Sequence, residues 1–154
     1  MGEKFLEIKD LNVTYTQNRK NVYAVNGISI RLERGKTLGL VGETGAGKTT
    51  IAKAIMRILP DVAAKITGGE IKLDEVDVLK LSEEEMMDIR GKKTAMIFQD
   101  PMTALNPVFV VGDQIAEVIK THEKVTKKQA AKKAVEMLEM VGIPGERYGE
   151  YPHQ

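Results

Sequence analysis

The chain has 154 residues, 42% of them apolar and 29% charged, and a formal net charge of +1, so it is long enough for a domain with a core of its own. A balance this close to neutral leaves no basic stripe of the kind a nucleic-acid binder presents, and no nucleic-acid partner is expected. With no cysteine the chain has neither disulfides nor thiolate-held metals, and no apolar run approaches the ~18 residues a bilayer span requires.

The amino terminus, Met1 to Phe5, carries no apolar signal segment, and a cytoplasmic chain is expected. Residues 5–41 are strand-rich. Leu6 and Ile8 share one phase of the period-2 pattern, and Leu11, Val13 and Tyr15 share the other. The change of phase at Lys9-Asp10 predicts a bulge or turn. Thr16–Asn21 is polar and predicts a loop. Ile28, Ile30 and Leu32 alternate as a half-buried strand should, and Glu33-Arg34-Gly35-Lys36 reads as a turn. Thr37-Leu38-Gly39-Leu40-Val41 is nearly continuous in apolar character, which predicts a parallel strand buried on both faces.

Lys48 to Leu59 reads as a helix with Ile51, Ala54, Ile55, Ile58 and Leu59 on one face, ended by Pro60-Asp61. Ile71 and Leu73 predict a short strand after Gly68-Gly69. Ser82-Glu83-Glu84-Glu85 is a capping box opening a helix to about Arg90, where Gly91 stops it. Thr94 to Phe98 is a second candidate for a buried strand. A helix is predicted from Gly112 to about Glu123. The next is capped by Thr126 with Gln129, lined by Ala131, Ala134, Val135, Leu138 and Val141, and ended by Gly142 and Pro144. Lys127, Lys128, Lys132 and Lys133 form a basic cluster, expected to be a solvated face paired with nearby glutamates.

The residues Gly42-Glu43-Thr44-Gly45-Ala46-Gly47-Lys48-Thr49 match G-x-x-x-x-G-K-[ST] in full. Gly42, Gly45 and Gly47 allow backbone angles that a side chain forbids and let the main chain approach a phosphate closely. The amides of Glu43, Thr44, Ala46 and their neighbours can then form an anion nest at a helix amino terminus. Lys48 is a point charge for the β- and γ-phosphates. The Thr49 hydroxyl is a candidate Mg²⁺ ligand, and Thr50 is left for the α-phosphate. The motif follows an apolar run and opens an amphipathic helix, which is the context it requires.

The flanking residues carry a resemblance. Tyr15 stands where ATP-binding-cassette (ABC) ATPases have an aromatic that stacks on adenine. Ile97-Phe98-Gln99-Asp100-Pro101 resembles that family's glutamine loop. Ala24-Val25-Asn26-Gly27-Ile28-Ser29, Leu38 to Glu43, and Phe98 to Pro107 look like the oligopeptide/dipeptide importer branch. Tyr151-Pro152-His153-Gln154 is similar to the four residues before the family's Leu-Ser-Gly-Gly signature.

The resemblance implies an α/β fold, a P-loop NTPase core with an antiparallel β-subdomain over residues 1–98. A glutamine loop and the start of a helical subdomain would occupy residues 99–154. It implies ATP and Mg²⁺ as cofactors, Lys48 and Gln99 as catalytic, and Thr49 and Gln99 at the metal. Tyr15, Gly42, Glu43, Thr44, Gly45, Ala46, Gly47, Lys48, Thr49 and Thr50 would hold the nucleotide. Transmembrane permease subunits, a second ATP-binding subunit (the same or different) and, indirectly, an extracytoplasmic solute-binding protein are the implied partners. The place of work is the cytoplasmic face of the membrane, with residues near Met102–Phe109 meeting the permease.

The Walker B strand, its glutamate, the D-loop and the switch histidine would follow Gln154. In this family two of the strands that follow lie between the phosphate-loop strand and the glutamine-loop strand. The sheet is therefore expected to be incomplete, with the strands at 37–41 and 94–98 facing a gap. Self-association, or a partner half, would cover such edges. Two alternatives stay open: an ABC-type ATPase with no link to transport, and a nucleotide-binding piece without turnover. Tyr23 is the rival aromatic. His122 and His153 read as surface residues, Glu83, Glu84, Glu85 and Asp88 as favourable acids on a helix's opening turns, and the eight methionines as gap-fillers in the core.

Overall fold

A computed structural model describes residues 3–17, 19–100 and 104–154. Its Cα trace divides into two compact units, Met1–Met87 and Asp88–Gln154.

The first unit is built on a four-stranded antiparallel sheet: β1 (Lys4–Gln17), β2 (Lys20–Glu33), β3 (Ala64–Leu73) and β4 (Val76–Asp77), in the order β2-β1-β3-β4. The phase change in β1 is resolved by a bulge, as expected. Asp10 adopts φ +46°, and the register slips between Ile8 and Leu11 against β2 and between Lys9 and Asn12 against β3. One extra residue cancels the one-residue slip of the apolar pattern, so Leu6, Ile8, Leu11 and Val13 are all buried.

Asn12 ties this bulge to the next. Its Nδ2 donates to the Asp10 carbonyl at 2.6 Å, and its Oδ1 accepts from the Gly27 amide at 3.0 Å, where Gly27 has φ +63°. β3 runs straight through Gly68-Gly69 and is longer than predicted. Gly69 has φ +99°, and a Cβ there would lie 2.6 Å from the Asp10 and Lys9 carbonyl oxygens, so only glycine fits opposite the bulge.

Part of the loop predicted at Thr16–Asn21 is paired strand. Thr16 faces Asn21 and Gln17 faces Lys20, with Arg19 at φ +62°, while Asn18 lies outside the described residues. The turn at Glu33 to Lys36 forms as expected, with Gly35 at φ +71° and the Lys36 amide donating to the Glu33 carbonyl.

Helix α1 (Lys48–Ile55) stops short of the predicted Leu59. Arg57 takes a left-handed conformation, φ +51°. The Ile58 amide bonds back to the Lys53 carbonyl and the Arg57 amide to that of Ala54. This pair of bonds is a Schellman cap, a place where glycine is usual. Arg57 fills it with its guanidinium held by the carbonyls of Val78 and Leu81, at 3.2 and 2.6 Å. Helix α2 (Glu83–Ile89) opens on the predicted box, with the Glu85 amide donating to Ser82 Oγ and the Ser82 amide to Glu85 Oε2.

The two predicted buried strands do not form. Thr37–Val41 and Thr94–Phe98 join no sheet, apart from a lone bridge between Arg90 and Thr94. Val41 is 95% exposed and Ile97 92%. No strand among the described residues lies beside either segment to take its backbone hydrogen bonds, so apolar pattern alone does not make them sheet.

The second unit is helical: α3 (Val111–His122), α4 (Lys127–Met140) and a 3₁₀ turn (Gly145–Gly149) around buried Ala116, Ile119, Ala130 and Ala134. The capping box of α4 is present on both sides, Thr126 with Gln129. The buried line on α4 is Ala130, Ala134 and Leu138, spaced by four. Val141, expected on it, is exposed, because the helix has ended and Gly142 at φ +81° turns the chain.

Candidate nucleotide-binding site

The glycine loop joins residues 37–41 to α1. Gly47 is the N-cap of α1, and the Ile51 amide bonds its carbonyl at 2.9 Å. The first amides of a helix have no partner within it, and α1 carries no acidic residue in its first turn to occupy them. Gly45 and Gly47 have φ +83° and +81°.

Gly47 is constrained a second time. A Cβ would come within 3.0 Å of the Ala24 carbonyl oxygen, with Val25 Cγ2 at 3.4 Å. Ala24 is the extra residue where the register slips between the pairs Val13–Val25 and Thr14–Tyr23, so a bulge in β2 buttresses the loop. No residue type marked Ala24 in the sequence, since its carbonyl does the work.

Lys48 Nζ donates to the carbonyls of Gly42 and Glu43, both at 2.6 Å. The lysine thus folds back over its own loop, where it would meet a phosphate held by the loop amides. Residues 42–46 and Thr49 are exposed, and Thr50 is partly buried.

The sheet register sets the two aromatics on opposite faces. Val25 touches the Gly47 position and pairs with Val13; Tyr15, two residues on, pairs with Val22. Alternation places Tyr15 on the face that carries the loop. Tyr23 pairs with Thr14, whose hydroxyl meets that of Thr67 at 3.5 Å, so Tyr23 belongs to the other face and is 72% exposed. A cleft of about 390 Å³ opens beside Tyr15, lined also by Thr16, Gln17, Val22 and Ala63.

Gln99 is exposed and belongs to the second unit, just after Thr94–Phe98. Pro101, which closes the glutamine-loop resemblance, and Met102 and Thr103, expected in the segment that meets a partner, lie outside the described residues. The rest of that segment is held by a residue the sequence did not single out. Gln114, in α3, accepts from the Asn106 amide and donates to the carbonyls of Asn106 and Phe109, each at 2.9 Å. Asn106 Oδ1 also caps the Val108 amide at 3.0 Å. The only hint was Asn106 as a turn former.

Residues 25–154 match the ABC transporter family. The chain belongs to that family. Among its relatives, the dipeptide transport ATP-binding protein DppD of Bacillus subtilis (strain 168) is 47% identical over 154 residues, covering 99% of this chain and 46% of that protein. The oligopeptide transport ATP-binding protein OppD of the same organism is 45% identical, covering 98% of this chain and 43% of that protein. The chain thus spans less than half the length of these two relatives. Among solved structures, the dimeric bacterial ABC transporter cassette MJ0796 superposes with a TM-score of 0.82 at 22% identity, over 97% of this chain and 62% of that one. Its post-hydrolysis state bound to ADP and Pi gives 0.80 at 21%, with the same coverage. These likenesses identify the fold as that of an ABC ATPase cassette, α/β in class, of which the described residues hold an antiparallel sheet and a helical unit.

Proposed function

We propose that this ABC-family chain is part of an ATP-hydrolysing subunit that powers import of peptides or related solutes through a membrane permease. The observation that carries the proposal is the glycine loop seated on the amino terminus of α1, with Tyr15 on the same sheet face. Its 47% and 45% identity to dipeptide and oligopeptide transport ATP-binding proteins supports the choice of cargo.

In this reading the amides of residues 43–48 hold the β- and γ-phosphates, and Lys48 exchanges its two loop carbonyls for phosphate oxygens. Thr50 serves the α-phosphate and Tyr15 stacks on adenine. Thr49 and Gln99 suit Mg²⁺ in chemistry, being exposed hard oxygen donors. When bound, that ion neutralises charge on the transferring phosphoryl group. Gln99 orients the attacking water. A second ATP-binding subunit, permease subunits and an extracytoplasmic solute-binding protein complete the assembly, at the cytoplasmic face of the membrane.

The exposed apolar residues of 37–41 and 94–98 favour a second statement, that these 154 residues alone bind nucleotide without turning it over. Calorimetric titration with ATP and Mg²⁺ tests both. Expected are saturable binding, loss of binding in Lys48→Ala, and a 5- to 150-fold weakening in Tyr15→Ala from about 1–3 kcal/mol of base stacking. Binding unchanged in Lys48→Ala would refute the site. Phosphate release above background that Lys48→Ala abolishes would refute the second statement. Failure of the chain to co-purify with a co-expressed permease of the peptide-import type would count against the transport role.

A further inference from the structure

A second polar cleft, of about 570 Å³, lies wholly within the helical unit. Lys92, Lys120, Lys124 and His122 line it, with Asp88 and Glu123 as its carboxylates. Glu123 is already taken by an ion pair with Lys133. Lys132, next along α4, is paired with Glu136. The basic cluster is therefore a neutralised face at 132 and 133, as expected, but not elsewhere. Among the described residues Lys92, Lys120 and Lys124 have no ion-pair partner, and neither have Lys127 and Lys128 just beyond the rim. One wall is fixed in place. His122 lies directly over Gly91, where a Cβ would fall within 3.0 Å of its Nε2, and Gly91 has φ +86°. Three ammonium groups around one concavity, against the single unpaired carboxylate of Asp88, leave it net positive and focus positive potential into it. An anion balances that charge.

We propose that this cleft binds a phosphate-bearing anion, separately from the glycine loop. The phosphate can be free in solution or carried on a lipid headgroup. Lysine ammonium groups suit either, as mobile donors that require no fixed angle.

The test uses the whole chain in a Lys48→Ala background, which removes the glycine loop's own claim on phosphate. Pyrophosphate is titrated by calorimetry. In a parallel arm, sedimentation is measured with vesicles of phosphatidylglycerol and of phosphatidylcholine. The expected result is saturable binding of pyrophosphate, or binding to the anionic vesicles alone, with the first identifying a soluble ligand and the second a headgroup. Whichever is seen weakens at least tenfold in Lys92→Gln/Lys120→Gln/Lys124→Gln. It changes less than threefold in Lys20→Gln/Lys36→Gln/Lys65→Gln, which removes equal charge from the other unit. Circular dichroism confirms that each variant folds, and the single reversal Lys124→Glu provides the same comparison if the triple variant does not. Binding in neither arm, or an equal loss in the control triple, overturns the proposal.

Discussion

Replacing Gly47 by alanine separates two reasons for glycine that the sequence motif merges. Gly47 and Gly45 have nearly the same φ, +81° and +83°, so both substitutions carry the left-handed penalty of about 1–2 kcal/mol. They differ in space. A Cβ at Gly45 meets nothing within 4 Å, whereas one at Gly47 falls within 3.0 Å of the Ala24 carbonyl oxygen, a main-chain atom that cannot rotate away. Forcing backbone apart in a packed region adds about 1–3 kcal/mol. Gly47→Ala is therefore expected to cost about 2–5 kcal/mol and Gly45→Ala about 1–2. Urea unfolding followed by amide exchange in residues 3–87 measures the difference, because exchange reports that unit by itself. Equal costs for the two variants would show that the β2 bulge does not buttress the loop.

Other outcomes follow from single contacts. Asn12→Ala removes two hydrogen bonds that staple neighbouring bulges and is expected to cost about 1–3 kcal/mol, with faster exchange of the Gly27 amide as its local sign. Thr126→Ala removes the α4 cap and is expected to cost about 1 kcal/mol, read by thermal unfolding. Burial first, and then the hydrogen bond to Asp113, raises the Tyr148 phenol above its usual value of 10.0. A raised folded value means the unfolded chain ionises first. Stability is then whole below pH 10 and falls as pH rises through the folded value; Tyr148→Phe is expected to flatten that alkaline limb in denaturation measured against pH. Gln114→Ala should leave α3 intact while raising the exchange rates of the Val108 and Phe109 amides at least tenfold.

Local chemistry was legible wherever one residue type answers one need. The capping boxes at Ser82 and Thr126, the bulge forced by the slipped pattern at Lys9-Asp10, and the glycine turn at Gly35 are all present. What escaped notice depends on main-chain atoms or on a partner distant in sequence. Arg57 gives no sign of a left-handed cap until Val78 and Leu81 supply carbonyls for its guanidinium. Ala24 contributes only a carbonyl, and Gln114 needs the Asn106 turn beside it. The sequence already ranks Tyr15 over Tyr23; what it does not show is the bulge at Ala24, which puts the two on opposite faces of the sheet.

The two apolar runs show where pattern and structure part. A nearly continuous apolar run describes a segment able to be buried on both faces, and burial of that kind requires a neighbouring strand on at least one side. β1 satisfies the requirement twice, between β2 and β3, and its pattern became sheet in spite of three register slips against β2 after Ile8. Thr37–Val41 and Thr94–Phe98 have cleaner patterns and no neighbour among the described residues, and they leave Val41 and Ile97 in water. Pairing therefore outweighs propensity in this fold. It follows that the loop at Gly42–Thr49 rests on the β2 bulge and α1, and not on the run that leads into it. A peptide or subunit supplying a strand beside 37–41 would add order upstream of the loop while leaving the Gly47–Ala24 contact as it is.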